Sequence, residues 1–453
     1  MFSLDEIVEA VGGRVMENSG AERFSGVSTD SRTICEGALF VPLRGPNFDG
    51  HDFLAQALDR AAGALVDSLP SGVSFPGKTV VLVQDTLRAL QKAAAWKRKK
   101  TNPFVVGITG TNGKTTTKEM TAAVLSARFG VLKTEGNLNN QIGLPLTLCK
   151  LSGHGAAVLE MGASRRGDIG ELCEIASPDL GVLTNIGAAH LEFFGDVAGV
   201  RDTKLELMDF AQRIAANADD RYLMEGIGRK MLNGKCSCRD VLTYGVKADA
   251  DIKAFNVRVE KDSLSAVVAF PDGRNRRMEL SVGGSFNVYN ALAALAVGWA
   301  AGVDPCEAVD ALKGFKGVPM RFEVKEKDGV TFIVDAYNAN PASVKEALTE
   351  LVRFRRGRVI AALGGMLELG SRSEDEHREL GAWMAGLAVD VFVAVGPQMK
   401  AASEVFKAES PRASVFYAAD SVEAAAVLKG IVRCGDTVLV KGSRGFKMER
   451  SVD

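Results

Sequence analysis

The stretch "FVVGITGTNGKTTTKEM", residues 104–120, constrains this chain more than any other: an apolar run, a glycine-rich turn ending in Gly-Lys-Thr and a helical segment follow without a gap. A strand that feeds a helix through such a turn is a phosphate-binding loop, in which glycines let backbone N–H groups approach phosphate oxygens and the helix N-terminus favours the anion. The usual spacing, G-x-x-x-x-G-K-[ST], needs a glycine at 108, but that residue is Ile108 and the glycines fall at 107, 110 and 113. Lys114 supplies a point charge and Thr115 a hydroxyl placed to ligate Mg²⁺. A glycine-rich turn that ends in Gly-Lys-Thr by chance would account for neither the strand before it nor the helix after it. ATP or GTP is the expected ligand.

Two further runs, "AAVLEMG" and "LGVLTNIG", are nearly continuous in Val, Ile, Leu and Ala before a polar turn. Such runs mark strands buried on both faces of a parallel sheet, and ligands of such sheets bind beyond the carboxyl ends of the strands. Glu160 ends the first run, where a carboxylate is costly unless it meets a cation or a crevice; beside a phosphate loop it is a candidate Mg²⁺ ligand rather than a rim charge. His190 stands just past the second run, on the same expected edge, although a lone histidine is more often structural. Lys204, in "RDTKLELM", reads from the residues alone as a solvated lysine.

At 453 residues the chain is long enough for two to four domains. Residues 1–97 alternate short strand-like runs ("ALFVPL", "GALVDS", "TVVLVQ") with helical stretches and predict a small α/β domain. Residues 98–315 predict a parallel sheet of the phosphate-loop type, with an antiparallel hairpin subdomain over 251–282 and helices near 287–301 and 305–313. "GFKGVPMR", 314–321, reads as a hinge, and residues 316–453 predict a Rossmann-like α/β domain. The fold class is therefore α/β in three domains.

Composition narrows the function. Lys and Arg number 55 against 56 Asp and Glu, so nothing suggests a nucleic-acid partner. "WKRKK" at 96–100 could be a basic patch, but cations at a helix C-terminus complement its dipole and are expected to face water. The seven cysteines are odd in number and contain no C-x-x-C; "CSC" at 236–238 is a weak metal signal. No export signal is read at the N-terminus, and the apolar stretch 291–303 is too short to span a bilayer, so a cytoplasmic protein without membrane insertion is expected.

Taken together, G-T-N-G-K-T-T, "LEMG", "NIGAAHLE" and a lysine fourteen residues past the histidine resemble the Mur ligase family, ATP-dependent enzymes that join amino acids to UDP-N-acetylmuramoyl (UDP-MurNAc) peptide precursors of the bacterial cell wall. The short glycine spacing is that family's. "STDSRTICEGALFVPLRGPNFDGHDF", "EGNLNNQIGLPLTL", "DAYNANPAS", "LGGMLELG" and "KGSRGFKME" resemble the branch that adds D-alanyl-D-alanine to UDP-MurNAc-tripeptide.

The resemblance implies that Gly110, Thr111, Asn112, Gly113, Lys114, Thr115 and Thr116 hold the ATP phosphates, and that Thr115 and Glu160 ligate one Mg²⁺. His190 and Lys204, the latter as an N-carboxylated (carbamate) lysine, would hold a second. Asn290 would contact adenine, and Arg321, Asp335 and Asn338 would reach the γ-phosphate and ribose from the third domain. Ser28, Ser31, Arg32, Asn47, Asp49 and Gly50 would contact uridine diphosphate, and Asn137, Asn139 and Asn140 the sugar or peptide. The enzyme is expected to be a monomer. Two positions depart from the family pattern: Phe286 stands where histidine is usual, and Gly365 where aspartate is. The alternatives are a sibling Mur ligase or a folylpolyglutamate synthase-like ligase, a GTPase switch, which would need an Asn/Thr-Lys-x-Asp reader where this chain has "VKAD", and a non-catalytic nucleotide-binding protein.

Overall fold

Three large sheets, one per expected domain, carry the chain, with a two-stranded pair, Phe2–Ser3 and Arg23–Phe24, beside the first. The computed structural model describes residues 1–18, 21–68, 75–189, 191–234 and 236–452. In the first sheet the strands Val27–Ser28, Leu39–Phe40, Gly63–Val66 and Thr79–Leu82 run parallel, and Arg14–Asn18 closes one edge antiparallel.

The central sheet has nine strands. Phe104–Thr109 lies between Ala156–Glu160 and Leu180–Leu183, all parallel, with Glu160 opposite Ile108 and Leu183 opposite Thr109. These strands are almost wholly buried, as their unbroken apolar sequence requires. Strand order reverses around Phe104–Thr109, which makes its carboxyl end the switch point where a crevice opens. The hairpins expected over 251–282 form as Ile252–Val259, Leu264–Ala269 and Asn275–Leu280. They are not a separate subdomain: Ile252–Val259 pairs parallel with Asp240–Gly245, so they extend the central sheet. The helices Phe286–Ala300 and Pro305–Lys313 cover one face.

The third sheet has six strands, with Val330–Asp335, Thr437–Lys441 and Val359–Gly364 parallel at its centre. Register sets Asp335 and Leu363 on either side of Lys441, so this sheet also presents its carboxyl edge as a polar rim.

"WKRKK" is solvated only in part: Lys99 and Lys100 are exposed as expected, whereas Lys97 and Arg98 are not. It ends the helix Thr86–Thr101, which packs against the helices Leu4–Val11, Gly143–Leu148 and Asp168–Ala176. Lys97 and Arg98 are buried: Lys97 Nζ donates to Met1 O at 2.9 Å, and Arg98 donates to Ala176 O, Ser177 O and Asp179 Oδ2, each at 3.0 Å. Tertiary acceptors, not water, satisfy these cations. In the "CSC" segment Cys236 and Cys238 place their Sγ atoms against the backbone carbonyls of Lys230 and Asp240. No described helix is long and apolar enough to cross a membrane.

Candidate active site

The phosphate loop turns at Gly110, not at position 108. Gly110 has φ +148°, and a Cβ there would lie 1.9 Å from Thr184 Oγ1; Gly113, at φ +80°, opens the helix Lys114–Leu125, and a Cβ there would lie 2.4 Å from Asn290 Oδ1. Both glycines are steric requirements of a loop pressed against the next strand. Asn185 pins it: its backbone carbonyl accepts from Thr111 N and its Oδ1 from Asn112 N, each at 2.9 Å, while Thr184 Oγ1 donates to Asn112 O at 2.7 Å. Lys114 Nζ folds over the loop onto the Gly110 and Thr111 carbonyls at 2.9 and 3.0 Å. Burial holds its ammonium below the usual lysine range, opposed by Glu160.

Glu160 and Lys204 line the same cleft, whose volume is about 490 Å³. Glu160 is 3% exposed; Oε1 accepts from Asn139 Nδ2 at 2.8 Å, and Oε2 is buried without a partner. Its backbone is held by Thr134, whose Oγ1 accepts from Glu160 N at 3.0 Å and whose carbonyl accepts from buried Lys118 of the loop helix at 2.6 Å. Lys204 ends the helix Val197–Lys204 and is not solvated but 3% exposed. Burial, reinforced by the charge of Lys114, lowers its pKa to about 7. His190 lies outside the described residues.

The third domain forms the opposite wall. Arg321 Nη2 donates to Thr115 Oγ1 at 3.3 Å, and its guanidinium lies 4.0 Å from the centre of the Tyr337 ring. Its neighbours Met320 and Phe322 both have left-handed backbones, φ +59° and +54°, a strained turn costing roughly 1–2 kcal/mol per residue that aims Arg321 across the cleft. Asp335 is held by Lys441 Nζ at 2.5 Å, and Asn338 gives its carbonyl to the same ammonium at 3.1 Å. Asn340 Nδ2 donates to Asn112 Oδ1 at 2.8 Å, so the "YNANP" segment bonds directly to the phosphate loop.

A second cavity, of about 520 Å³, opens on the far side of Asn112 and Gly113, against Asn185, Asp219, Tyr289 and Asn290. Asn290 is buried, its Oδ1 accepting from Thr117 Oγ1 and its Nδ2 donating to Asn287. The "VKAD" loop is closed by Asp219, whose carboxylate accepts from the backbone N–H groups of Val246, Lys247 and Ala248; these bonds outweigh its burial and depress its pKa.

The acceptor residues fall in two places. Asn137, Asn139 and Asn140 line the cleft; Asn139 orients Glu160, and Asn140 caps the helix Gly143–Leu148 through Gly143 N at 2.9 Å. Ser28, Ser31, Arg32, Asn47, Asp49 and Gly50 do not line either cavity. Ser28 ends the strand Val27–Ser28, and the others lie in the segments that follow it and the adjacent parallel strand Leu39–Phe40, at the carboxyl edge of the first sheet. Arg32 is paired with Asp30, and Asp49 with Arg44 and His51. A Cβ on Gly50 would lie 2.6 Å from Leu43 N.

The two departures are packing solutions. Phe286 meets Phe322 edge-on, centroids 5.1 Å apart, and joins the central domain to the third through an apolar contact. At Gly365 a Cβ would come 2.9 Å from the Phe446 ring and 3.0 Å from Gln398 Oε1, so those side chains fill the space an aspartate would need. Sequence reasoning missed Asn185, Asp168 and Lys441. Asp168, 4% exposed in the cleft, accepts from Gln141, Ser164 and Arg165; "SRRGD" and "KGSRG" were signals that residue type alone does not separate from surface charge.

Comparison with known proteins agrees along the whole chain. Residues 108–298 match the Mur ligase middle domain, 320–444 the Mur ligase glutamate ligase domain, and 23–98 the Mur ligase family catalytic domain. The chain is 36% identical to UDP-N-acetylmuramoyl-tripeptide–D-alanyl-D-alanine ligase of Bacillus subtilis, covering 94% of this chain and 92% of that one. Among solved structures it is similar to MurF from Acinetobacter baumannii, with TM-score 0.89 and 30% identity over 100% of this chain and 98% of that one. It is also similar to MurF from Thermotoga maritima in complex with ADP, with TM-score 0.81 and 33% identity over 94% and 96%.

Proposed function

This chain belongs to the Mur ligase family, and we propose that it joins D-alanyl-D-alanine to UDP-MurNAc-tripeptide with hydrolysis of ATP to ADP and phosphate. One observation carries the reading. Asn340, in the segment most particular to this branch, bonds to Asn112 of the phosphate loop, so the specificity segment and the ATP loop are parts of one site.

A bare carboxylate is too poor an electrophile to form an amide. The terminal carboxylate of the tripeptide therefore attacks the γ-phosphorus of ATP, ADP departs, and an acyl phosphate results. The amine of D-alanyl-D-alanine then attacks the acyl carbon, and inorganic phosphate leaves with one oxygen of the original carboxylate. Backbone N–H groups of Gly110–Thr116 orient the phosphates, and Lys114 exchanges its two loop carbonyls for phosphate oxygens. Arg321 reaches over from the third domain, with Asp335 and Asn338 on the same wall, while Asn290 borders the base cavity.

Among the described residues no three His, Cys, Asp or Glu side chains converge as a metal centre. The orphaned Glu160 Oε2 and the Thr115 hydroxyl in the same cleft fit the partial ligand set of Mg²⁺, which is completed by phosphate and water. When bound, Mg²⁺ neutralises phosphate charge. For a second ion we propose His190 and Lys204, Lys204 as its carbamate. A buried lysine with a pKa near 7 supports this, because only the neutral amine adds CO₂, losing a proton and becoming an anionic oxygen ligand.

The family matches break between 98 and 108 and between 298 and 320, which supports domains at 1–97, 98–315 and 316–453, the first holding the uridine nucleotide through the turns at 28–32 and 47–50. Asn137, Asn139 and Asn140, which line the cleft, are assigned to the sugar or peptide. Phosphate release in the presence of ATP and Mg²⁺ is expected only when both UDP-MurNAc-tripeptide and D-alanyl-D-alanine are supplied. Equal release with glutamate or lysine in place of the dipeptide would assign the chain to a sibling activity.

A further inference from the structure

Two consecutive residues of the central domain, Ser285 and Phe286, touch the third domain without taking part in the phosphate chemistry. Ser285 Oγ donates to Glu350 Oε1 at 2.6 Å. Phe286, the first residue of the helix Phe286–Ala300, stands between the two cavities and packs on the third domain's core, its ring edge-on to Phe322. The ring is seated from both sides. Behind it Gly284, at φ +87°, leaves the space: a Cβ there would lie 2.7 Å from Phe286 Cζ. Ahead of it Phe322 is 5% exposed and also meets Phe354, with centroids 6.3 Å apart. A phenyl ring at 286 completes an apolar contact that an imidazole, with two polar ring nitrogens, would interrupt.

Phe322 directly follows Arg321, and little else fixes that side chain. Its Nη2 bonds to Thr115 Oγ1 at 3.3 Å, its guanidinium lies on the Tyr337 ring, and its Nε is buried without a partner. The left-handed backbone at Met320 and Phe322 persists only where the surroundings over-determine it. The buried Phe322 ring, held between Phe286 and Phe354, does this on the carboxyl side of Arg321. One aromatic contact thus joins the helix that carries Asn290 at the base cavity to the turn that carries Arg321 at the phosphate loop.

We propose that Phe286 is a positioning residue for Arg321: by seating Phe322 it sets the guanidinium against the terminal phosphate of bound ATP. The proposal deepens the ATP-ligase reading, and it rests on that reading for the placement of the γ-phosphate.

Calorimetric titration with ADP and with AMP-PNP, a non-hydrolysable ATP analogue, both with Mg²⁺ and without any peptide substrate, tests it. ADP lacks the phosphate that Arg321 is to reach. A hydrogen bond to a charged group corresponds to roughly a tenfold or greater difference in affinity. Arg321→Ala is therefore expected to weaken AMP-PNP binding about tenfold and ADP binding less than about twofold. Phe286→Ala should reproduce that pattern, and the double variant should bind AMP-PNP no more weakly than Arg321→Ala alone, because both changes remove the same interaction. Phe286→Leu, which keeps the domain contact filled but lacks the ring edge, should lose about threefold for AMP-PNP alone. Equal weakening of both nucleotides by the Phe286 variants would mean that the ring only lines the cavities, and losses that add in the double variant would mean that it acts apart from Arg321. Either result overturns the assignment, as does unchanged AMP-PNP binding in a single alanine variant. If the pattern holds but D-alanyl-D-alanine does not stimulate phosphate release, the ligase reading fails and the Phe286 assignment stands.

Discussion

The two walls of the cleft are built in different ways. On the central wall the loop and the carboxylate are held by close partners: Gly110 and Gly113 by contact with Thr184 and Asn290, Asn112 by Asn185, Glu160 by Asn139 and Thr134. On the opposite wall Arg321 and Asn340 reach the phosphate loop by single hydrogen bonds, and the contacts that join the domains include Phe286–Phe322, Ser285–Glu350, Lys261–Glu326 and Glu192 N to Glu368 O. The first wall is preorganised; the second is docked on it through a few contacts that a hinge can make and break. Chemistry should therefore depend most steeply on the central wall, and assembly of the site on the third domain.

Lys114→Ala should separate the walls most sharply, lowering kcat by about a thousandfold or more, since it removes the phosphate loop's own ammonium. Loss of less than tenfold would show that the loop backbone alone suffices. Lys204→Ala should also abolish turnover, with partial recovery in added short carboxylic acids. Because the Lys204 pKa is about 7, its neutral amine rises from about a tenth of the population at pH 6 to about nine-tenths at pH 8. Activity regained on adding CO₂ to decarboxylated enzyme should therefore increase about tenfold in initial rate across that interval. A flat profile, or near-normal activity of the alanine variant, removes the carbamate.

Asn340→Ala, on the docked wall, should cost less: about tenfold in kcat/KM, expressed more in KM than the Lys114 change, because it weakens one interdomain hydrogen bond of the ~1 kcal/mol class. A loss as large as that of Lys114→Ala would erase the distinction between the walls. Arg98→Met should affect chemistry least. It leaves the Ala176 and Ser177 carbonyls without their donor and Asp179 with Val105 N alone, costing about 2 kcal/mol once the partial exposure of Asp179 is allowed for, seen as a lowered Tm with kcat retained.

Features that depend on local sequence were legible. The apolar runs at 104, 156 and 180 became the strands expected of them, and the last helices of the central domain lie within a residue of expectation. Glu160 could be read because a carboxylate ending an apolar strand is costly without a purpose. Features set by distant partners were not. Arg98 looks like a solvated helix end until Ala176 and Asp179 are brought beneath it. The hairpins gave no sign that they continue the central sheet, since pairing with Asp240–Gly245 is a matter of register. Asn185 and Lys441 open the segments "NIGAAHLE" and "KGSRGFKME", but nothing local marks either as a partner of the cleft; their positions follow from which strands adjoin it.

The central claim is that the peptide carboxylate is activated by phosphorylation. ¹⁸O label in the terminal carboxylate of UDP-MurNAc-tripeptide tests it directly, with mass spectrometry of the phosphate released during ligation to D-alanyl-D-alanine. An acyl phosphate transfers one labelled oxygen to each phosphate. Unlabelled phosphate, its new oxygen drawn from water, would contradict the account.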